Sequence, residues 1–212
     1  MGSHLPKVAE RSNGTVAAAL VAVTLLLAAY VGYPYRWFSL HPLLMLLGFV
    51  AAAGAGITAK RKGGRVNTLI HAYSMCTALA LSLGGYYVIY QQKVMLSKPH
   101  NTSWHAVLGL LALGGYVLGA IGGMTALHPD FGLIRTSQTF RRIHKLSSRA
   151  STVVAFAAIA TGWYKMAHVA TTGLVAVGLL ALSYALLLPP SPLHASNPAY
   201  SGLLQSSETS EP

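Results

Sequence analysis

Six long apolar segments leave this chain few ways to fold. They cover about residues 14–34, 38–59, 68–91, 102–124, 140–163 and 167–189. Each reaches the length of about 20 residues that an α-helix needs to cross a lipid bilayer. A bilayer does not tolerate open sheet edges in its hydrocarbon region, which leaves a bundle of helices. Only 9% of the residues are charged, too few for a typical soluble domain. The sequence therefore predicts an all-α integral membrane protein with six transmembrane helices.

The two ends of the chain differ from this apolar part. Residues 1–13 form a short polar segment, and residues 191–212 are rich in Ser and Pro and carry Glu208 and Glu211. The composition of the C-terminal segment is typical of a disordered tail. We therefore expect one transmembrane domain, residues 14–190, between two tails.

The basic residues indicate how the chain lies in the membrane. The formal net charge is +11, but the bases lie between apolar segments rather than along one face, which argues against binding of nucleic acid. One side of the predicted bundle holds Lys7, Arg11, Lys60, Arg61, Lys62, Arg65, Arg135, Arg141, Arg142 and Lys145. The other side holds Arg36, Lys93, Lys98 and Lys165. The positive-inside rule then predicts a multi-pass protein with both termini in the cytosol. We expect it in the plasma membrane or in an endomembrane of endosomes, lysosomes or vesicles.

Three tryptophans support this orientation. Trp37, Trp104 and Trp163 all lie at ends of predicted spans on the side with fewer basic residues. Tryptophan is enriched at membrane–water interfaces. We expect all three to act as interface anchors.

Four histidines lie inside the predicted spans, where ionisable side chains are costly and usually functional. His41, His71, His105 and His144 come near the starts of the second, third, fourth and fifth spans. Because consecutive helices run antiparallel, His41 and His105 share the non-cytosolic depth, whereas His71 and His144 share the cytosolic depth. At about 1.5 Å per residue, most of the hydrocarbon thickness separates the two layers.

Two histidines at one depth suit a haem iron, which takes two axial imidazoles besides its four porphyrin nitrogens. Two such layers predict two haems within the second to fifth spans. Zinc is disfavoured, because the spans lack a close group of four ligands. In another haem arrangement, one helix carries two ligating histidines about 13 residues apart. No two of the nine histidines are 13 or 14 residues apart, so the sequence does not support that arrangement. A Met75 ligand and interhelical hydrogen bonding by the histidines remain as alternatives.

The same residues carry a resemblance to a known family. His41-Pro42, the basic segment before His71, Ser103-Trp-His105 with Gly109 four residues on, and His144 resemble the cytochrome b561 family. The successive histidine spacings of 30, 34 and 39 residues also fit. The similarity covers about residues 14–190. The segment from Phe38 to Met45 and the short tails are most similar to the small, domain-only eukaryotic members.

The resemblance implies a six-helix protein that holds two b-type haems. His41 and His105 would ligate the non-cytosolic haem iron, and His71 and His144 the cytosolic one. Family members take electrons from cytosolic ascorbate and pass them across the membrane to monodehydroascorbate or ferric chelates. The resemblance thus implies an ascorbate-dependent transmembrane reductase. Leu69 stands where better-known ascorbate-using members often have a lysine.

Charged residues at both faces are candidates for substrate binding. The residues that flank the predicted cytosolic haem are Arg65, Arg141, Arg142 and Lys145. A positive mouth raises the local concentration of an anion such as ascorbate. An arginine there could instead pair with a haem propionate, and ordinary topology also accounts for these charges. On the opposite face His100, with Lys93 and Lys98, could receive an anionic acceptor or a ferric chelate.

Two other classes of protein remain open, a haem-free transporter and a structural membrane protein. A proton- or cation-coupled transporter usually has a carboxylate at mid-membrane. The four acidic residues, Glu10, Asp130, Glu208 and Glu211, all lie outside the predicted spans, which argues against that class.

Glycines in the fourth span have two interpretations. Gly115, Gly119 and Gly123 recur every fourth residue, and such faces let helices approach closely and would permit a homodimer. Gly109 and Gly114 could instead clear space for a porphyrin.

Overall fold

Four long helices make up the part of the chain that the computed structural model describes, residues 36–166 together with Ala22, Thr24 and Gly178. They are α1 (Trp37–Arg61), α2 (Gly64–Met95), α3 (Trp104–Thr125) and α4 (Gln138–Tyr164). No strand occurs between residues 36 and 166. The helices correspond to the predicted second to fifth spans. The predicted first and sixth spans and both tails lie outside the described residues, apart from those three single positions.

Short connections make consecutive helices antiparallel. Gly63 and Gly64 join α1 to α2 with φ values of 71° and 78°, a left-handed conformation that glycine adopts without a Cβ penalty. Serine N-caps start the next two helices. The Ser103 hydroxyl accepts from the Ala106 amide at the start of α3, and the Ser137 hydroxyl accepts from the Phe140 amide at the start of α4.

Helix α1 is continuous but not uniform. It opens with a 3-10 turn and widens into a π-helical segment at Leu47–Ala52. Gly48 lies in this segment, where a Cβ would come 2.5 Å from the Ser82 hydroxyl and 2.8 Å from the Ala78 carbonyl of α2. The wide turn therefore lies at a point where α1 and α2 approach closely, a fit that the apolar sequence of α1 does not reveal.

Three of the four helices are long and apolar enough to cross a membrane. These are α1, α2 and α3, with mean hydropathies of 1.9, 1.3 and 1.9 over their most apolar windows. Helix α4 does not meet the same criterion, since its first half carries Arg141, Arg142, Lys145 and Arg149. The fifth predicted span is therefore a helix of 27 residues whose apolar part is confined to its second half.

A central cluster of buried side chains joins all four helices. Its members are Phe49, Ala53, Ala78, Ala112, Leu113, Tyr116 and Ala155. The Phe49 and Tyr116 rings meet edge to face with their centroids 4.9 Å apart, a favourable aromatic geometry. The alanines have small side chains, which lets the helix backbones approach around these two rings.

Helices α3 and α4 contact each other through glycine and serine. A Cβ on Gly115 would overlap the Ser151 hydroxyl, whereas a Cβ on Gly119 would lie 3.7 Å from the Ser148 hydroxyl. The glycine face of α3 is thus covered by α4 within the chain.

We expect Gly115→Ala to destabilise the bundle by about 1–3 kcal/mol, because the new methyl group has no room beside Ser151. Thermal unfolding of the purified protein in detergent would show a lower Tm. Gly119→Ala is the matched control, since its methyl group would make only an ordinary contact. Adding Ser151→Ala to Gly115→Ala should restore part of the loss. Equal Tm values for the two glycine variants would contradict this packing.

Candidate functional site

The structure brings His41 and His105 together. His41 lies near the start of α1 and His105 in the first turn of α3, so antiparallel helices place both at one end of the bundle. Their ring centroids are 6.0 Å apart and their planes cross at 85°. A single metal ion bonded at about 2 Å to one nitrogen of each ring would give a centroid separation of about 6 Å. The two rings are therefore spaced so that both could ligate one metal ion.

Three of the four histidines are oriented by a backbone carbonyl of a neighbouring helix. The Nδ1 atoms of His41, His71 and His105 donate to the carbonyls of Gly85, Gly56 and Ala158 at 2.9, 3.0 and 2.8 Å. A carbonyl oxygen can only accept, so Nδ1 carries the proton and Nε2 of the neutral ring keeps its lone pair. A histidine that ligates a metal usually has such an outer partner.

Glycines let the helices that carry these imidazoles approach one another closely. The carbonyls that accept from His41 and His71 belong to Gly85 and Gly56. A Cβ on Gly85 would lie 3.2 Å from Cγ of Met45, and a Cβ on Gly56 would lie 3.1 Å from Cβ of Ser74, both on the opposing helix. A Cβ on Gly162 would come 2.7 Å from Cε1 of His105. The sequence analysis did not single out these three glycines. Their importance depends on which helix faces which, and the sequence contains no local signal of that.

His71 and His144 lie toward the other end of the bundle. The His144 ring packs against α3, where a Cβ on Gly123 would be 3.4 Å from its Cε1. His71 and Gly85, the partner of His41, are 14 residues apart on α2, which is about 21 Å along a helix. The four histidines thus form two layers, and residues of the central cluster such as Ala78 lie between them along α2.

A cavity of about 270 Å³ lies beside His41 and His105. Most of its wall is apolar, including Met45, Phe49 and Leu113. Gly109 also lines it, and a Cβ there would meet nothing within 4 Å, so this glycine borders open space. Gly114 likewise has no neighbour within 4 Å but is not part of the wall. An apolar cavity beside two free imidazole nitrogens suits a flat, largely apolar macrocycle.

Two lysines and a histidine also line this cavity. Lys93, His100 and Lys165 belong to its wall. The His100 ring stacks on Tyr90 with centroids 4.5 Å apart, and the Lys93 ammonium donates to the Pro99 carbonyl at 3.0 Å. Lys98 is exposed and does not line the cavity. The sequence-predicted residue His100 is therefore placed at the cavity of the His41–His105 pair.

Trp163 departs from the expectation that it anchors the membrane interface. Trp37 and Trp104 are 45% and 79% exposed, as interface residues should be, but Trp163 is only 4% exposed and lines the cavity. A position near the end of a helix does not show which way the side chain faces, and here α4 turns it inward.

The opposite end of the bundle, where α2 and α4 begin, carries the other predicted substrate residues and is called the basic end below. Arg142 and Lys145 are exposed there. Arg65 forms an ion pair with Asp130 at 2.7 Å, and Arg141 donates from Nε to the Arg135 carbonyl at 2.8 Å. The Arg65 guanidinium holds the pKa of the Asp130 carboxyl below its ordinary value. The sequence analysis did not predict that Asp130 pairs with Arg65, because a single acid in a loop has no distinguishing pattern.

A metal site built from protein ligands alone was also sought among the described residues. Within residues 36–166 the structure has no group of three or more His, Cys, Asp or Glu side chains that could hold a metal ion. The histidines occur in pairs, which suits a metal whose remaining ligands come from a macrocycle.

Comparison with known proteins identifies one matching family. The model of the family described as eukaryotic cytochrome b561 matches residues 40–170, a stretch that includes all four histidines. A search of curated proteins finds no match.

Proposed function

The chain belongs to the eukaryotic cytochrome b561 family of transmembrane electron-transfer proteins that contain haem b, and we propose that it passes electrons from cytosolic ascorbate to monodehydroascorbate or a ferric chelate on the other side. It is then an ascorbate-dependent transmembrane reductase. The observation that carries this proposal is the pair of imidazoles 6.0 Å apart, each with Nδ1 bonded to a carbonyl.

Two haems would be held by two pairs of histidines. We assign His41 and His105 to the haem at the cavity, and His71 and His144 to the haem at the basic end. Haem b supplies one-electron chemistry when it is bound. The carbonyls of Gly85, Gly56 and Ala158 keep three of the rings in the tautomer that presents Nε2 and limit their rotation.

The described residues between the two layers are packed together and include no carboxylate. Ala53, Ala78 and Ala155 of the central cluster are fully buried. Asp130 is the only acidic residue between residues 36 and 166, and it lies in the loop between α3 and α4. This composition suits electron transfer better than proton- or cation-coupled transport, which usually needs an acid inside the membrane.

Charges at the two ends support an anionic donor and an anionic acceptor. Arg65, Arg141, Arg142 and Lys145 make the basic end attractive to the ascorbate anion. Lys93 and Lys165 do the same for an acceptor at the cavity, where His100 is a further polar group. We further propose that residues 14–190 form one domain of six spans with both termini in the cytosol. The basic end then faces the cytosol, in the plasma membrane or an endomembrane.

The proposal is tested by counting haem in the purified protein and recording its visible spectrum before and after ascorbate is added. We expect two six-coordinate b-type haems per chain and prompt reduction of both. Two haems that ascorbate does not reduce would refute the donor and keep the haem assignment. A colourless protein that stays colourless after reconstitution with haem would refute the proposal as a whole.

A further inference from the structure

We infer that the Asp130 carboxylate competes with the anionic electron donor for Arg65 and thereby sets the affinity of the basic end for that donor. The inference rests on the proposed function for the identity of the donor. It assigns a role to an acidic residue that neither the histidine pattern nor the predicted cation cluster includes.

The loop between α3 and α4 is built so that it holds Asp130 in one place. His128 is 5% exposed and stacks on Phe131 with ring centroids 3.7 Å apart, and its Nδ1 accepts from the Asp130 amide at 3.3 Å. Arg135 donates to the Pro129 carbonyl at 3.0 Å. The Gly132 amide donates to the His128 carbonyl at 2.9 Å. A loop held at this many points presents its carboxylate in a defined position.

Two of the predicted donor-binding arginines contact this same loop in different ways. Arg141 donates to a backbone carbonyl, that of Arg135. Arg65 instead pairs with a full negative charge, the carboxylate of Asp130, at 2.7 Å. The Nε–H of Arg65 is bonded to Asp130, whereas the other N–H groups of the guanidinium can still donate. An ascorbate anion that binds these groups lies beside the negative charge of Asp130, and it must replace the carboxylate to take the Nε–H. Asp130 thus opposes the donor at Arg65 specifically.

The charge distribution makes this pair unusual for the basic end. The basic residues there are Lys60, Arg61, Lys62, Arg65, Arg135, Arg141, Arg142 and Lys145. Asp130 is the one acid among residues 36–166. Its carboxyl is ionised at neutral pH as any ordinary aspartate is, and Arg65 lowers its pKa further. The single negative charge within the described part of this end is therefore paired with Arg65, six residues before His71.

The pair is also accessible and exchangeable. The side chains of Arg65 and Asp130 are 64% and 39% exposed, so water and solutes reach both. Exposed ion pairs are weak, and an anion at moderate concentration can displace one partner. A buried pair would act only as a brace between α2 and the loop, whereas an exposed pair can open when an anion binds.

The test compares the wild-type holoprotein with Asp130→Asn, which keeps the shape of the side chain and removes its charge. We measure the rate of haem reduction against ascorbate concentration at constant ionic strength. Half-saturation should fall by about two- to fivefold in Asp130→Asn. Arg65→Gln should raise it, and adding Asp130→Asn to Arg65→Gln should change it little further. Glu208→Gln is the control, because it also removes one carboxylate but lies outside the described residues and outside this contact.

A second readout does not depend on ascorbate. Sulfate, compared with chloride at equal ionic strength, should raise the Tm of Asp130→Asn more than that of the wild type, and the double variant should lose this difference. If ascorbate fails to reduce the wild type while sulfate behaves as expected, the proposed donor is wrong but the competition stands. Unchanged or weaker ascorbate half-saturation in Asp130→Asn, or equal sulfate effects, would show that Asp130 is only a brace.

Discussion

Replacing His71 by alanine should reduce the haem content from two to one per chain and abolish reduction by ascorbate. His71 is half-buried near the start of α2, and its Nδ1 donates to the Gly56 carbonyl at 3.0 Å. Alanine removes both this bond and the free Nε2, so His144 would have no partner ligand. The haem at the cavity should remain bound, because the contacts of His41 and His105 do not involve His71.

The complementary variant makes this result specific. His41→Ala should also lose one haem, but ascorbate should still reduce the haem that remains at the basic end. Haem-to-chain ratios and ascorbate-reduced spectra of both variants check the prediction, with His194→Ala in the C-terminal segment as a matched histidine control. A His71→Ala protein with two haems and normal ascorbate reduction would contradict the proposed pairing.

Gly162→Ala should lose the cavity haem although it leaves every proposed ligand in place. The added methyl group would lie 2.7 Å from Cε1 of His105 and 2.8 Å from its Nδ1. The ring has little freedom to move away, since Nδ1 is bonded to Ala158 in the same helix, α4. We expect the haem content to fall toward one per chain and the Tm to decrease, with a packing cost of about 1–3 kcal/mol.

The control for this variant is Gly114→Ala, because a Cβ at Gly114 would have no neighbour within 4 Å. That variant should keep two haems and a normal Tm. The spectra should also distinguish the two ends: ascorbate should still reduce the haem that Gly162→Ala retains. Full haem content in Gly162→Ala would mean that His105 does not need its observed position to bind haem.

Much of the architecture could be predicted because it depends on local properties of the chain. The second to fifth apolar segments became α1 to α4, since segment length and polarity together favour membrane-length helices. Composition was less informative for α4, where four basic residues lower the hydropathy of a helix that still packs on α3 through Ser148 and Ser151. The first and sixth spans remain predictions.

The candidate site was predictable in the positions of its histidines and not in their surroundings. Counting residues from the helix ends placed His41 and His105 at one depth, and the structure brings their rings to 6.0 Å. The residue count did not identify the carbonyls of Gly56, Gly85 and Ala158 as partners of the histidines. Nor did it show that Trp163 faces inward, because a helix end does not reveal the direction of a side chain.

The sequence by itself predicted where the four described helices lie, in which order they run and which histidines lie toward the same end of the bundle. These properties follow from residue polarity and from the constant rise of a helix, both of which are local. Only the tertiary structure decided how each helix is rotated about its axis. That rotation determines which glycine faces an imidazole. The path of the loop between α3 and α4 brings Asp130 to Arg65, which is 65 residues away in the chain. Such contacts depend on distant segments at once, so no local pattern in the sequence determines them.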